Sequence, residues 1–120
     1  MSGERDVGSH VQDMFEACER IILFADGVSD EALLDPERPV RGGVLYNLMI
    51  LGEASKHVPE EWFARHSRIP WKRIAGMRDK IVHNYFGLNE DVVVLAVRTS
   101  VPAILPLLRT MLAEMDAAHE

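Results

Sequence analysis

Four stretches of this chain repeat apolar residues at three- and four-residue steps over lengths that only helices reach. The first runs through Val7, Val11, Met14, Cys18, Ile21, Ile22 and Ala25, with Gly27 placed to close it. The second runs through Val40, Val44, Leu45, Leu48, Leu51, Ala54 and Val58. Its middle, Gly42–Gly52, carries no charge, so burial on more than one side is expected. The third starts near Trp71 and passes Ile74, Met77 and Ile81 to the neighbourhood of Tyr85, with Gly87 as terminator. The fourth opens at Val92–Val97, which alone would suggest a strand. The spacing continues through Val101, Ile104, Leu105, Leu108, Met111, Leu112 and Met115, far beyond strand length, and so predicts a helix bent at Pro102 and Pro106. Asn89 is placed to cap it. Short helical turns are expected at Ser29-Asp30-Glu31 and at Pro59-Glu60-Glu61, each with acids in its first turn. The chain is therefore expected to be all-α, a bundle of four or five helices.

At 120 residues this is one domain, with Met1–Arg5 as a loose tail. The apolar girth of the last helix and of Gly42–Gly52 exceeds what a bundle of this size covers, and homodimerisation is the expected remedy. The single cysteine, Cys18, excludes an intrachain disulfide and sits at a core position. No basic segment followed by an apolar one opens the sequence, so no leader is expected. The longest uncharged run, Gly42–Gly52, falls short of the ~20 apolar residues of a membrane span. No membrane association is expected, and a reducing cytoplasm is the expected compartment.

The net charge of −6 argues at first against a nucleic-acid partner, but its distribution does not. Between Arg65 and His83 six cations (Arg65, Arg68, Lys72, Arg73, Arg78, Lys80) meet one acid, Asp79, a local +5 on a remainder of −11. Such a patch suits an anionic backbone, with Lys72, Arg73 and Lys80 as candidate RNA contacts. A solvated charged surface gives the same numbers.

Within this patch Arg78 and His83 have complementary chemistry. Arginine is a permanent cation whose donor fork matches phosphate oxygens, and histidine exchanges a proton near neutral pH. Together they supply what metal-free RNA cleavage needs: a group that moves protons at the 2′-hydroxyl and the leaving 5′-oxygen, and a cation for the charge building on phosphorus. Five residues apart at about 100° per residue, they point roughly 140° apart on a regular helix. They converge on one phosphate only if the helix loosens near His83, or if two chains pool two copies of each. Tyr85, seven residues from Arg78, shares its face on a continuous helix. By residue type alone the pair is unspecific, since a lone histidine near a helix end more often caps or packs.

The context is more specific. Arg78, polar Asp79, His83 and Tyr85 form an R-x4-H-x-Y pattern. Around it stand Asn47-Leu48, Ile50-Leu51-Gly52-Glu53-Ala54, Ile69-Pro70-Trp71, Gly76-Met77-Arg78-Asp79 and Val82-His83-Asn84-Tyr85-Phe86-Gly87. In order and spacing these blocks resemble the HepT-like branch of the HEPN superfamily over about residues 10–115. The resemblance implies an up-and-down helical bundle working as a homodimer, and a metal-independent endoribonuclease that is the toxin of a toxin–antitoxin pair. It implies Arg78 and His83 as the nuclease pair, Asp79 as its polar companion, and Tyr85 as the tyrosine that a nucleotidyltransferase antitoxin of the MntA type modifies with AMP. The substrate class is RNA, transfer or messenger. No cofactor and no metal are expected.

The remaining polar residues are less telling. Glu53 is placed to orient a motif side chain, or equally to be a satisfied carboxylate. His10, His57, His66 and His119 lack metal-like spacing and are expected at the surface. Trp62 and Trp71 are expected to pack, with base stacking by Trp71 as the lesser possibility. A HEPN dimer that grips RNA, nucleotide or a partner protein without cutting is the alternative function, and a helical assembly subunit a third.

Overall fold

The computed structural model describes residues 6–119 and is helical throughout, without strands among those residues. The tail expected at Met1–Arg5 and the surface placement expected for the His119 side chain lie outside the described residues. Seven helices follow one another: α1 (Val7–Ala25), α2 (Asp30–Leu34), α3 (Pro39–Ser55), α4 (Glu60–Arg65), α5 (Trp71–His83), α6 (Glu90–Leu95) and α7 (Val101–His119). A 3-10 turn, Tyr85–Gly87, follows α5, and a π turn, Ala96–Ser100, joins α6 to α7 in one rod. Three helix starts are capped by short polar side chains, two of them, Ser29 and Asn89, where the sequence places a helix start. Asp6 accepts the Ser9 amide at 2.8 Å, Ser29 that of Ala32 at 3.1 Å and Asn89 that of Val92 at 3.1 Å.

Helix α1 is the centre of the bundle, packing extensively against both α3 and α7, while α3 carries α5 on its far side. The stripes align as the periodicity requires: Val11, Met14, Cys18 and Ile21 of α1 meet Val44, Leu48 and Leu51 of α3 and Val97, Val101, Leu108 and Met111 of the rod in one core. Cys18 is buried there, and burial, with the neighbouring Glu19 charge, pushes its thiol up to about 12, so it stays protonated and packs as a small hydrophobe. Helix α5 finds an extensive neighbour only in α3. Between α5 and the rod runs an apolar groove, floored by Leu48 and Leu51 and walled by Ile74 and Met77 on one side and Val92 and Leu95 on the other.

Two expectations need correction. Helix α5 stops at His83 rather than near Tyr85, because Asn84 adopts φ −150° and ψ 53° and starts the 3-10 turn. Asparagine competes with helical hydrogen bonding through its own side chain. Gly87 supports the turn by having no Cβ, since one would lie 2.6 Å from the Asn84 amide. The last helix, expected to bend at Pro102 and Pro106, also carries a wide turn ahead of the first of them. The Val101 amide reaches back five residues to the Ala96 carbonyl, and this wide turn absorbs the approach to Pro102, which has no amide hydrogen. By length and composition Glu90–Ala117 could cross a membrane, which the count of uncharged residues did not anticipate. Its Val93, Val97, Val101, Ile104, Leu108, Met111 and Met115 are buried in the core.

The π turn aims Arg98 at the end of α1. Its guanidinium donates to the Ala25 carbonyl at 2.8 Å, to the Val28 carbonyl, and to Asp30 at 3.0 Å. Gly27, at φ 71°, turns the chain so that these carbonyls face inward. Arg98→Ala removes charged donors from two main-chain carbonyls and should lower stability by about 2 kcal/mol. Denaturant unfolding monitored by circular dichroism checks this, and an unchanged midpoint would refute the capping role.

Candidate active site

Arg78 is placed by a glycine. α3 and α5 approach closely at Gly52, where a Cβ would lie 2.2 Å from Arg78 Cβ and 2.8 Å from the Ile74 carbonyl oxygen. Only the bare backbone lets α5 settle against α3, and the contact brings Arg78 level with the next residue, Glu53. Arg78 Nε lies 3.1 Å from Glu53 Oε1, an ion pair off the direct hydrogen-bonding line. Its Nη1 donates to Asp79 Oδ1 at 3.1 Å, and Lys56 grips that same oxygen. The Lys56 and Arg78 hydrogen bonds hold the Asp79 carboxyl below the usual carboxylate range. Glu53 and Asp79 thus engage Nε and Nη1 of the guanidinium, while Nη2 of Arg78, whose side chain is 27% exposed, has no partner among the described residues. A cation oriented in this way suits an incoming phosphate oxygen.

His83 is the last residue of α5, exposed, and without an ion pair or hydrogen bond among the described residues. As a helical residue it keeps its register, so within one chain it still points about 140° away from Arg78. The helix end does not bring the pair together. The shared face expected for Arg78 and Tyr85 is also lost, because Tyr85 lies beyond the helix. Its half-buried ring sits under the Arg41 guanidinium at 5.0 Å and meets the Phe86 ring edge-on at 5.3 Å. Lys72, Arg73 and Lys80 are exposed on α5 and unpaired among the described residues. By register these three cations share the side of the helix that carries His83, about 120–160° round from Arg78.

Two aromatic and histidine expectations resolve differently. Trp71 is buried, donates Nε1–H to the His66 carbonyl at 3.1 Å and stacks on Phe63 at 4.7 Å, so it packs and offers no face to a base. His66 is not a surface residue: its side chain is 10% exposed, covered by Trp62 and 3.0 Å from Glu114. Sequence reasoning missed the roles of Gly52 and Lys56. A glycine in an otherwise apolar helix was the available signal for the first, while nothing local pointed to the second.

The family model for HepT-like ribonucleases matches residues 14–111, a span that includes every residue of this site. The chain belongs to the HepT-like ribonuclease family. Membership makes this chain, by resemblance, an RNA endonuclease on an all-α HEPN-type bundle. A protein of Caldanaerobacter subterraneus subsp. tengcongensis named as a candidate RNase is 36% identical over 95 residues, covering 79% of this chain and 84% of the relative. A "Probable ribonuclease HepT" of Thermococcus cleftensis is 34% identical over 101 residues, 84% of this chain and 91% of its own. A further candidate RNase, from Methanocaldococcus jannaschii, is 30% identical over 118 residues, 98% and 96% of the two chains. No solved structure matches this HepT-like chain at a significant level.

Proposed function

We propose that this ribonuclease is the toxin of a cytoplasmic toxin–antitoxin pair, cutting RNA without a metal at a site two copies of the chain share. The observation that carries the reading is the state of Arg78: Nε and Nη1 are engaged by Glu53 and Asp79, and Nη2 has no partner among the described residues. Arg78 binds the scissile phosphate and stabilises the charge that builds on phosphorus. His83 takes the proton from the 2′-hydroxyl or gives one to the departing 5′-oxygen, leaving a cyclic phosphate and a 5′-hydroxyl. Asp79 and Glu53 orient the guanidinium, and Lys72, Arg73 and Lys80 hold neighbouring phosphates.

Register and surface support the dimer-shared site. One α5 cannot aim Arg78 and His83 at the same atom, whereas two can. Val82 and Phe86, which flank His83, are 45% and 95% exposed, and a second copy seated on them brings two His83 rings together. A nucleotidyltransferase antitoxin of the MntA type neutralises the pair at Tyr85. AMP on its hydroxyl places a bulky anion near the end of the basic helix, where it competes with RNA for the cations.

Pure protein incubated with total tRNA and EDTA is expected to cut it, with ends that carry 2′,3′-cyclic phosphate and 5′-hydroxyl. Retention of tRNA without cleavage would overturn the nuclease reading in favour of a binding module, and cleavage that stops in EDTA would overturn metal independence. Induced expression should arrest growth, and co-expressed nucleotidyltransferase should relieve the arrest.

A further inference from the structure

Glu53 has a second partner. While its Oε1 faces Arg78 Nε at 3.1 Å, its Oε2 lies 3.4 Å from His57 Nε2. His57 stands beyond the end of α3, in the turn where its amide bonds the Ala54 carbonyl at 3.1 Å. A side chain in such a position is ordinarily free to swing. Here the ring is stacked on His10 of α1, with centroids 4.6 Å apart and planes 13° from parallel. The end of α3, the first turn of α1 and the middle of α5 therefore converge on one carboxylate. An exposed pair four residues apart contributes little to stability by itself. Its consequence lies in orientation, because the carboxylate it holds is the one that fixes Arg78.

We propose that His57 is a positioning residue for Arg78, acting through the Glu53 carboxylate. The inference rests on the reading of Arg78 as the group that holds the scissile phosphate. With His57 in place both oxygens of Glu53 are engaged, so its plane is fixed and Arg78 Nε has a stationary partner. Without His57 the carboxylate turns about its last torsion and Arg78 swings toward Asp79, its other anchor. Nη2 then no longer faces the phosphate. Ground-state binding changes little, because Lys72, Arg73 and Lys80 still hold the RNA backbone. Stabilisation of the charge on phosphorus suffers, because it depends on direction.

The test uses the full chain with total tRNA. His57→Ala should lower kcat about tenfold, the loss typical of a slightly misplaced catalytic group, and leave KM for tRNA within about twofold. Adding His57→Ala to Glu53→Gln should produce little further loss, since both act on one link. The Arg78 Nε–H signal in nitrogen-resolved NMR should shift in His57→Ala as the Glu53 carboxylate turns, while the unfolding midpoint stays put. An unaltered kcat, losses that multiply in the double variant, or an unaltered Arg78 signal would each overturn the proposal. Should the wild-type protein fail to cut tRNA, the nuclease reading falls, and the NMR signal still decides whether His57 holds Arg78.

Discussion

Arg78→Ala is expected to lower RNA cleavage by about a thousandfold, with the melting behaviour of the wild-type protein retained. The side chain is only partly buried and lies at the rim of the α3–α5 contact, so its removal opens no cavity in the core. The loss falls on the transition state, where one oriented cationic donor is worth about a hundred- to thousandfold in rate. Arg78→Lys should recover little, because a point charge on a flexible stem cannot meet Glu53, Asp79 and a phosphate oxygen at once. His83→Ala should cost about a hundredfold or more through the lost proton transfer. Mixing the two inactive proteins supplies the decisive measurement. If two chains share the site, a mixed dimer holds one intact Arg78 and one intact His83 across its cleft, and activity returns. If each chain works alone, every site in the mixture lacks one group and activity stays absent.

Gly52→Ala is expected to have the largest effect on stability. In an ordinary helix this change gains about 1 kcal/mol from propensity. Here the added methyl would lie 2.2 Å from Arg78 Cβ and 2.8 Å from the carbonyl oxygen of Ile74. A carbonyl in the middle of α5 cannot turn aside, so the helices must part. A net loss of about 1–3 kcal/mol is expected from overpacking, seen as a lower denaturation midpoint. Activity should fall further than the unfolded fraction explains, because Arg78 and Glu53 separate with the helices. A Gly52→Ala protein with wild-type stability would show that α5 is not seated as described.

The helices were legible because their evidence is periodic and redundant. Each of the long ones rests on several apolar residues at helical spacing, and the caps at Ser29 and Asn89 add a local mark. What depended on one residue was less legible. Asn84 is compatible with continuing a helix or ending it, and it ends α5. Arg78 and His83 could be chosen from residue chemistry and context, and Glu53 stood out as an acid beside an uncharged run. Their partners could not be read in the same way: Lys56 and Asp79 are 23 residues apart, and Arg98 reaches Ala25 across 73. Gly52 shows the limit most clearly. Its local meaning is a weak helix former, and its structural meaning is supplied entirely by the backbone of another helix.

Helix α5 leans mainly on α3, and this sets an order of opening. The layers of α7, α1 and α3 hold one another through the core, whereas α5 is tied to it mainly through α3, with Trp71 fastening its start to Phe63 and His66. In amide-exchange terms the strip that bears Arg78 and His83 belongs to the first unit to open, and the rest of the molecule need not follow. The chemistry can therefore be switched by whatever seats or unseats one helix, while the protein's overall lifetime is governed by layers that the switch never touches.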